Sequence, residues 1–127
     1  DYTNSTSPTV AIASFRLFLA YCKFRNMIPI HMDICNAYLH AKVTEDIYMR
    51  QPPGFVDEDH PDYVCKIVQS LYGMHQAGHN WNNLINEDLL KHGLTQLEHD
   101  PCVYHCVTGQ DKWIVTPHIP LTANLYM

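Results

Sequence analysis

His31-Met32-Asp33-Ile34-Cys35-Asn36-Ala37-Tyr38-Leu39-His40 is the stretch on which the fold turns. Pro29 blocks any helix running into it. Ile30, Met32 and Ile34 alternate with His31 and Asp33, the period of a short strand. Ala37 to Ala41 then reads as a short helical turn. A carboxylate at the end of an apolar strand, followed by a tight turn, suits a hard cation. The strand fixes Asp33, and the turn exposes the backbone carbonyl of Ile34 as a second oxygen donor. Tyr38 comes back over the site from the turn. The same residues allow a plainer reading, with Asp33 capping the turn and Tyr38 a half-buried core aromatic. On their own they favour the plainer one.

Upstream, Ser7-Pro8 reads as a helix start, with Ser7 as N-cap and Pro8 at the first helical position. From Thr9 to Arg25, Ala11, Phe15, Phe18, Leu19 and Cys22 recur at helical spacing. Downstream, Ile47 to Arg50 is strand-like and Gln51-Pro52-Pro53-Gly54 is a strong turn signal. Asp57 to Asp62 forms an acidic surface loop before a second strand from Tyr63 to Val68. Gly73 and Gly78 bracket a tight segment. In the next helix Trp81, Leu84, Ile85 and Leu89 share one face, and Gly93 occupies a C′ stop. Val103–Val107 and Lys112–Val115 flank Thr108-Gly109-Gln110-Asp111 as a β-hairpin. The tail from Thr116 holds Pro117 and Pro120 and shows no period. Helices alternating with short strands indicate an α+β domain.

With 127 residues, 46% of them apolar and 17% charged, the chain can bury a core. Its net charge of −5, with only 8 Lys and Arg, argues against a free-standing nucleic-acid binder. The five cysteines have irregular spacing and no secretory or membrane-spanning segment is visible, so an intracellular chain with reduced thiols and no membrane contact is expected. Two further constellations carry weak signals. A glycine-flanked segment, Ser70 to Trp81, enters a helix and could bring backbone N–H groups and Gln76 near a phosphate. His99, Cys102, His105 and Cys106 suggest a soft-metal site. On a strand, however, the two cysteines would stand roughly 13 Å apart, and packing is the simpler reading.

Taken in order, these strings resemble the reverse transcriptase of copia-type LTR retrotransposons. Met32-Asp33-Ile34 with Ala37-Tyr38-Leu39-His40 looks like its first catalytic motif. Ile47-Tyr48-Met49-Arg50-Gln51-Pro52-Pro53-Gly54-Phe55-Val56 looks like its hallmark loop. Val64-Cys65-Lys66, Ser70-Leu71-Tyr72-Gly73 and Gln76-Ala77 with Trp81 look like the second motif. Asp100-Pro101-Cys102-Val103-Tyr104 resembles the strand leading into the catalytic hairpin. The likeness covers 1–115, leaving 116–127 as a divergent tail. It implies a partial right-hand polymerase fold, palm with fingers, in which the helix from Ala77 to Gly93 backs the palm sheet. Asp33 would be the first metal-binding carboxylate, for Mg²⁺. Ile34, Tyr38 and Gln76 would bind the nucleotide, Tyr38 as the gate that rejects a 2′-hydroxyl. RNA or DNA template-primer and dNTP would be the partners.

The chain departs from the family where the second carboxylate pair should lie. A Tyr-x-Asp-Asp turn is expected just beyond Lys112-Trp113-Ile114-Val115, yet no Asp or Glu follows Asp111. Two prolines stand where a central hairpin belongs, and strands tolerate the missing N–H donors poorly. His75, Gly78 and His79 also replace residues common in the second motif. Two-metal phosphoryl transfer holds its ions about 3.5–4 Å apart, and Asp33 alone cannot keep both in register. The expectation is therefore a truncated Pol polyprotein fragment that is inactive, holds no Mg²⁺ stably and binds template-primer weakly. Phe15, Phe18, Trp81, Leu84 and Leu89 are expected to be left exposed and to drive self-association. The alternative is a non-catalytic protein- or metal-binding module derived from a retroelement. A third reading is an enzyme half completed by a second polypeptide.

Overall fold

The computed structural model describes residues 6–106, together with 112–115, 118–119 and 122–126; side chains are described for 6–106 and Val115. Two sheets and three helices are built from them. The larger sheet comprises β1 (His31–Ile34), β4 (Thr95–Gln96), β5 (Val103–Cys106), β6 (Lys112–Val115), β7 (His118–Ile119) and β8 (Thr122–Tyr126). Its order is β1-β8-β6-β5-β4, with β7 paired to β8, and every pairing is antiparallel. A separate two-stranded sheet joins β2 (Lys42–Arg50) to β3 (Val64–Gln69). The helices are α1 (Ile12–Phe24), α2 (Ala37–His40) and α3 (Ala77–Lys91). The expected α+β class is the one observed.

α1 does not begin at Ser7. Its N-cap is Ala11, in extended conformation and without any side-chain cap. The Ala11 N–H is instead taken by the Asp100 carboxylate, 3.0 Å away and 89 residues distant in sequence. A long-range acceptor thus replaces the local one that Ser7 offered, and helix start signals read from neighbours miss it. The stop of α3 is local and follows expectation. Gly93 adopts φ +81, its N–H reaches the Leu90 carbonyl, and the Leu94 N–H reaches the Leu89 carbonyl. These are the two bonds of a Schellman motif, which needs a left-handed residue at that position.

Within the tail the described residues are those of β7 and β8. β7 and β8 pair through His118↔Ala123 and Ile119↔Thr122, and β8 then runs along β1 from Ile34↔Ala123 to His31↔Tyr126. Pro117 and Pro120 lie outside the described residues. The hairpin expected from Val103 to Val115 is also present as β5–β6, while residues 107–111 lie outside the described ones.

Two apolar clusters hold the layers together. In one, α3 lays Trp81, Ile85 and Leu89 against Ala37 and Ala41 of the α2 turn and Tyr104 of β5, with Ile34, Tyr38 and Leu94 at its margin. In the other, Phe18 and Cys22 of α1 meet Val103 and Val115, with Phe15 packed beside them. Burial raises the Cys22 thiol above its usual range. The exposed patch predicted from sequence is therefore corrected. Phe18, Trp81 and Leu89 are buried, Phe15 is half-buried, and of the five only Leu84 is exposed. The reason is that Val103 of β5 and Val115 of β6 pack on α1, while the α2 turn and Tyr104 of β5 pack on α3. Leu84 drops out of the buried face because that face follows a four-residue step: Ala77, Trp81, Ile85, Leu89. The exposed apolar surface lies elsewhere, with Leu17, Phe24, Ile28 and Phe55 each more than two-thirds exposed.

Candidate nucleotide site

The site is built where β1 ends. Asp33 is exposed and Ile34 half-buried on that strand. Asn36 turns the chain with a left-handed φ of 55°, a conformation Asn tolerates better than most residues. The Leu39 N–H closes the turn on the Asn36 carbonyl at 2.8 Å. Tyr38 follows in α2, half-buried against the cluster that contains Trp81.

A relay of hydrogen bonds stitches this turn to the segment before α3. The Ala41 N–H donates to the Tyr38 carbonyl at 3.1 Å, and the Ser70 N–H donates to the Ala41 carbonyl at 2.8 Å. Ser70 is fully buried, and its hydroxyl accepts from the Asn80 side-chain amide at 3.2 Å. The next four residues, Leu71-Tyr72-Gly73-Met74, form a tight turn closed by the Met74 N–H on the Leu71 carbonyl at 3.2 Å. Gly73 sits at its third position with φ +93, as a type II turn demands. The turn carries the Tyr72 ring to 5.0 Å from the Tyr38 ring, centroid to centroid, tilted by 49°. Burial raises the Tyr38 hydroxyl above the usual tyrosine range, and the neighbouring Tyr72 adds to the shift.

Gln76 is half-buried at the N-cap of α3. Its backbone carbonyl accepts the Asn80 N–H at 2.9 Å, and its side chain does not cap the helix. Tyr38 and Ile34 therefore share one packed cluster with α3, and Gln76 stands at the entry of that helix. The segments around Asp33 and Gln76 thus lie on elements that touch. Sequence spacing gives no sign of the Tyr38–Tyr72 contact, although the Leu-Tyr-Gly signal places Tyr72 in a turn.

Across from Asp33 the sheet offers Asn124, its register partner on β8. Among the described residues, no three His, Cys, Asp or Glu side chains come together to hold a metal ion. The donor set here, one carboxylate and the Ile34 carbonyl, does not fit a two-ion centre, which needs ligands to both ions. Of the four candidate soft ligands, Cys102 is fully buried, His105 and Cys106 are partly buried and His99 is exposed. The Cys102 N–H is bound by Asp100 at 3.0 Å.

The loop between β2 and β3 is organised by Gln51. Its amide nitrogen donates to the carbonyls of His60 and Tyr63, at 2.9 and 3.0 Å. Its amide oxygen accepts the Asp57 N–H at 2.7 Å. Asp57 in turn accepts the N–H groups of Asp59 and His60. The acidic residues are thus held in a defined turn, exposed to solvent. Among the described residues no helix is long and apolar enough to cross a membrane.

Residues 1–120 match the family model described as reverse transcriptase (RNA-dependent DNA polymerase). The chain belongs to this family, and the copia-type resemblance read from its motifs holds. It is 36% identical over 110 residues to the retrovirus-related Pol polyprotein from transposon RE1 of Arabidopsis thaliana, covering 87% of this chain and 8% of that protein. It is 30% identical over 115 residues to the retrovirus-related Pol polyprotein from transposon TNT 1-94 of Nicotiana tabacum, covering 91% of this chain and 9% of that protein. A truncated transposon Ty1-A Gag-Pol polyprotein of Saccharomyces cerevisiae is 31% identical over 103 residues, covering 80% of this chain and 8% of that protein. The chain therefore spans less than a tenth of the length of these relatives. No solved structure matches it significantly.

Proposed function

We propose that this chain is palm-and-fingers sequence of a copia-type retrotransposon reverse transcriptase, and that by itself it does not perform nucleotidyl transfer. Family membership and the motif order support the first half. In this reading Asp33 is a remaining metal-binding carboxylate, Ile34 offers its carbonyl, Tyr38 faces the sugar of an incoming nucleotide and Gln76 meets the nucleotide at the head of α3. The larger sheet is palm, with α3 behind it, and the β2–β3 pair belongs to the fingers. Residues 1–115 carry this region and 116–127 diverge from it.

The observation that carries the second half is the register of β1. Its partner strand offers Asn124 opposite Asp33, and no Asp or Glu occurs from Lys112 to Met127. In phosphoryl transfer the protein contributes mainly position and charge stabilisation, so a centre short of ligands loses most of its rate. Mg²⁺ would take its remaining near-octahedral ligands from water and nucleotide, with nothing to hold a second ion near a primer hydroxyl. The exposed Asp57-Glu58-Asp59 turn is no substitute, because productive metal geometry must be held to within about 0.5 Å. Template-primer binding by this acidic chain is expected to be weak.

The test is primer extension by the purified chain on an RNA or DNA template with Mg²⁺ or Mn²⁺. No extension above that of Asp33→Asn is expected at any protein concentration. Extension by the unaltered chain that Asp33→Asn abolishes would overturn the proposal, because some other carboxylate would then complete the site.

A further inference from the structure

We propose that Tyr72 is a positioning residue of the nucleotide face: it braces Tyr38, and the two rings form one aromatic wall for the sugar of an incoming deoxynucleoside triphosphate. The inference rests on the reading of that face as a nucleotide site, and adds a specificity element that the motifs left without a role.

Three observations place the wall. The first is the ring pair itself, with centroids 5.0 Å apart and a tilt of 49°. This is a favourable aromatic geometry, and such pairs are stabilising beyond the area they bury. The second is the difference in exposure. Tyr38 is half-buried against the α3 cluster, whereas Tyr72 is 49% exposed. A large aromatic left half-open beside a candidate ligand face, and leaning on its gate residue, is poorly explained as core packing. The third is how firmly the pair is held. Tyr38, Ala41 and Ser70 are linked by consecutive backbone hydrogen bonds, and Tyr72 follows Ser70 by two residues inside a turn pinned by Gly73. The two ring-bearing backbones therefore cannot drift apart without breaking that relay.

The consequence is steric. A single tyrosine ring on a half-buried stem can swing away from a 2′-hydroxyl. A ring braced by a second one cannot swing without losing the pair contact. Discrimination between deoxyribose and ribose then depends on Tyr72 even where Tyr72 does not touch the sugar.

The experiment titrates the 127-residue chain, labelled at tyrosine rings and backbone amides, with dATP and with ATP, each with Mg²⁺, and follows the NMR spectrum. Three proteins are compared: unaltered, Tyr72→Phe and Tyr72→Ala. The proposal expects both Tyr38 and Tyr72 ring signals to move with dATP, and the unaltered chain to bind dATP more tightly than ATP. Tyr72→Phe keeps that preference, because the ring remains. Tyr72→Ala reduces it by about three- to tenfold, the size of one aromatic pair contact. Tyr72 is exposed enough for the alanine variant to fold, and the phenylalanine variant guards against a purely structural effect. An unchanged dATP-to-ATP ratio in Tyr72→Ala overturns the proposal. If Ile34 and Gln76 amides respond to nucleotide while both rings stay silent, the nucleotide site stands and the wall falls. If no signal responds in the unaltered chain, the nucleotide site and the wall fall together.

Discussion

Asp100 is buried to 5% exposure, and both of its carboxylate oxygens are engaged. One takes the Ala11 N–H at the head of α1 and the other the Cys102 N–H before β5, each at 3.0 Å. A carboxylate at a helix N-terminus also meets the positive end of the helix dipole. One side chain thus locks α1 to the strand beside it, over the cluster of Phe18, Cys22, Val103 and Val115. Truncating it leaves two donors without their charged acceptor. Asp100→Ala is expected to cost about 2–4 kcal/mol in urea unfolding. Amide hydrogen exchange at Ala11 and Cys102 should accelerate more than the global loss of stability explains. Asp100→Asn, which keeps one good acceptor, should cost roughly half as much. Equal exchange rates in the alanine variant and the unaltered chain would show that the clamp does not hold α1.

Periodicity was enough to read most elements. The alternation around Asp33 gives β1, the helical spacing of Trp81, Leu84, Ile85 and Leu89 gives α3 although Leu84 proves exposed, and Gly93 marks its end because a left-handed stop is a local requirement. Long-range features were not legible in the same way. The start of α1 depends on Asp100, which no local pattern connects to Ala11. The burial of Phe18 and Trp81 depends on Val115 and Tyr104 arriving from other elements. At the candidate site, Asp33, Ile34, Tyr38 and Gln76 were readable only through resemblance, since each had an ordinary packing or capping explanation. The Tyr72–Tyr38 contact is not legible because it joins two separate elements. The Gln51 loop shows the same limit: Gln51-Pro52-Pro53-Gly54 signals a turn, but not that one amide closes it at three points. Gln51→Ala should remove about 1–2 kcal/mol of local stability. Limited proteolysis should then cut between Phe55 and Asp62 well before the rest of the chain. A cleavage pattern unchanged from the unaltered protein would mean that the prolines alone hold the loop.

For the whole molecule, the larger sheet joins the first motif to the tail. β1 carries Asp33 and β8 runs beside it, with Asn124 as the register partner of Asp33. The net charge of −5 predicts weak attraction to phosphate. A Mn²⁺ titration followed by electron paramagnetic resonance counts the ions that the chain can hold. The unaltered chain should bind Mn²⁺ no more tightly than on the order of 10⁻³ M, as expected for a single carboxylate backed by a carbonyl. Asn124→Asp should gain one tighter ion that is lost again when Asp33→Asn is added. Two ions held stoichiometrically by the unaltered chain, both released by Asp33→Asn, would mean that other groups complete a two-ion centre and that the chain is not short of ligands.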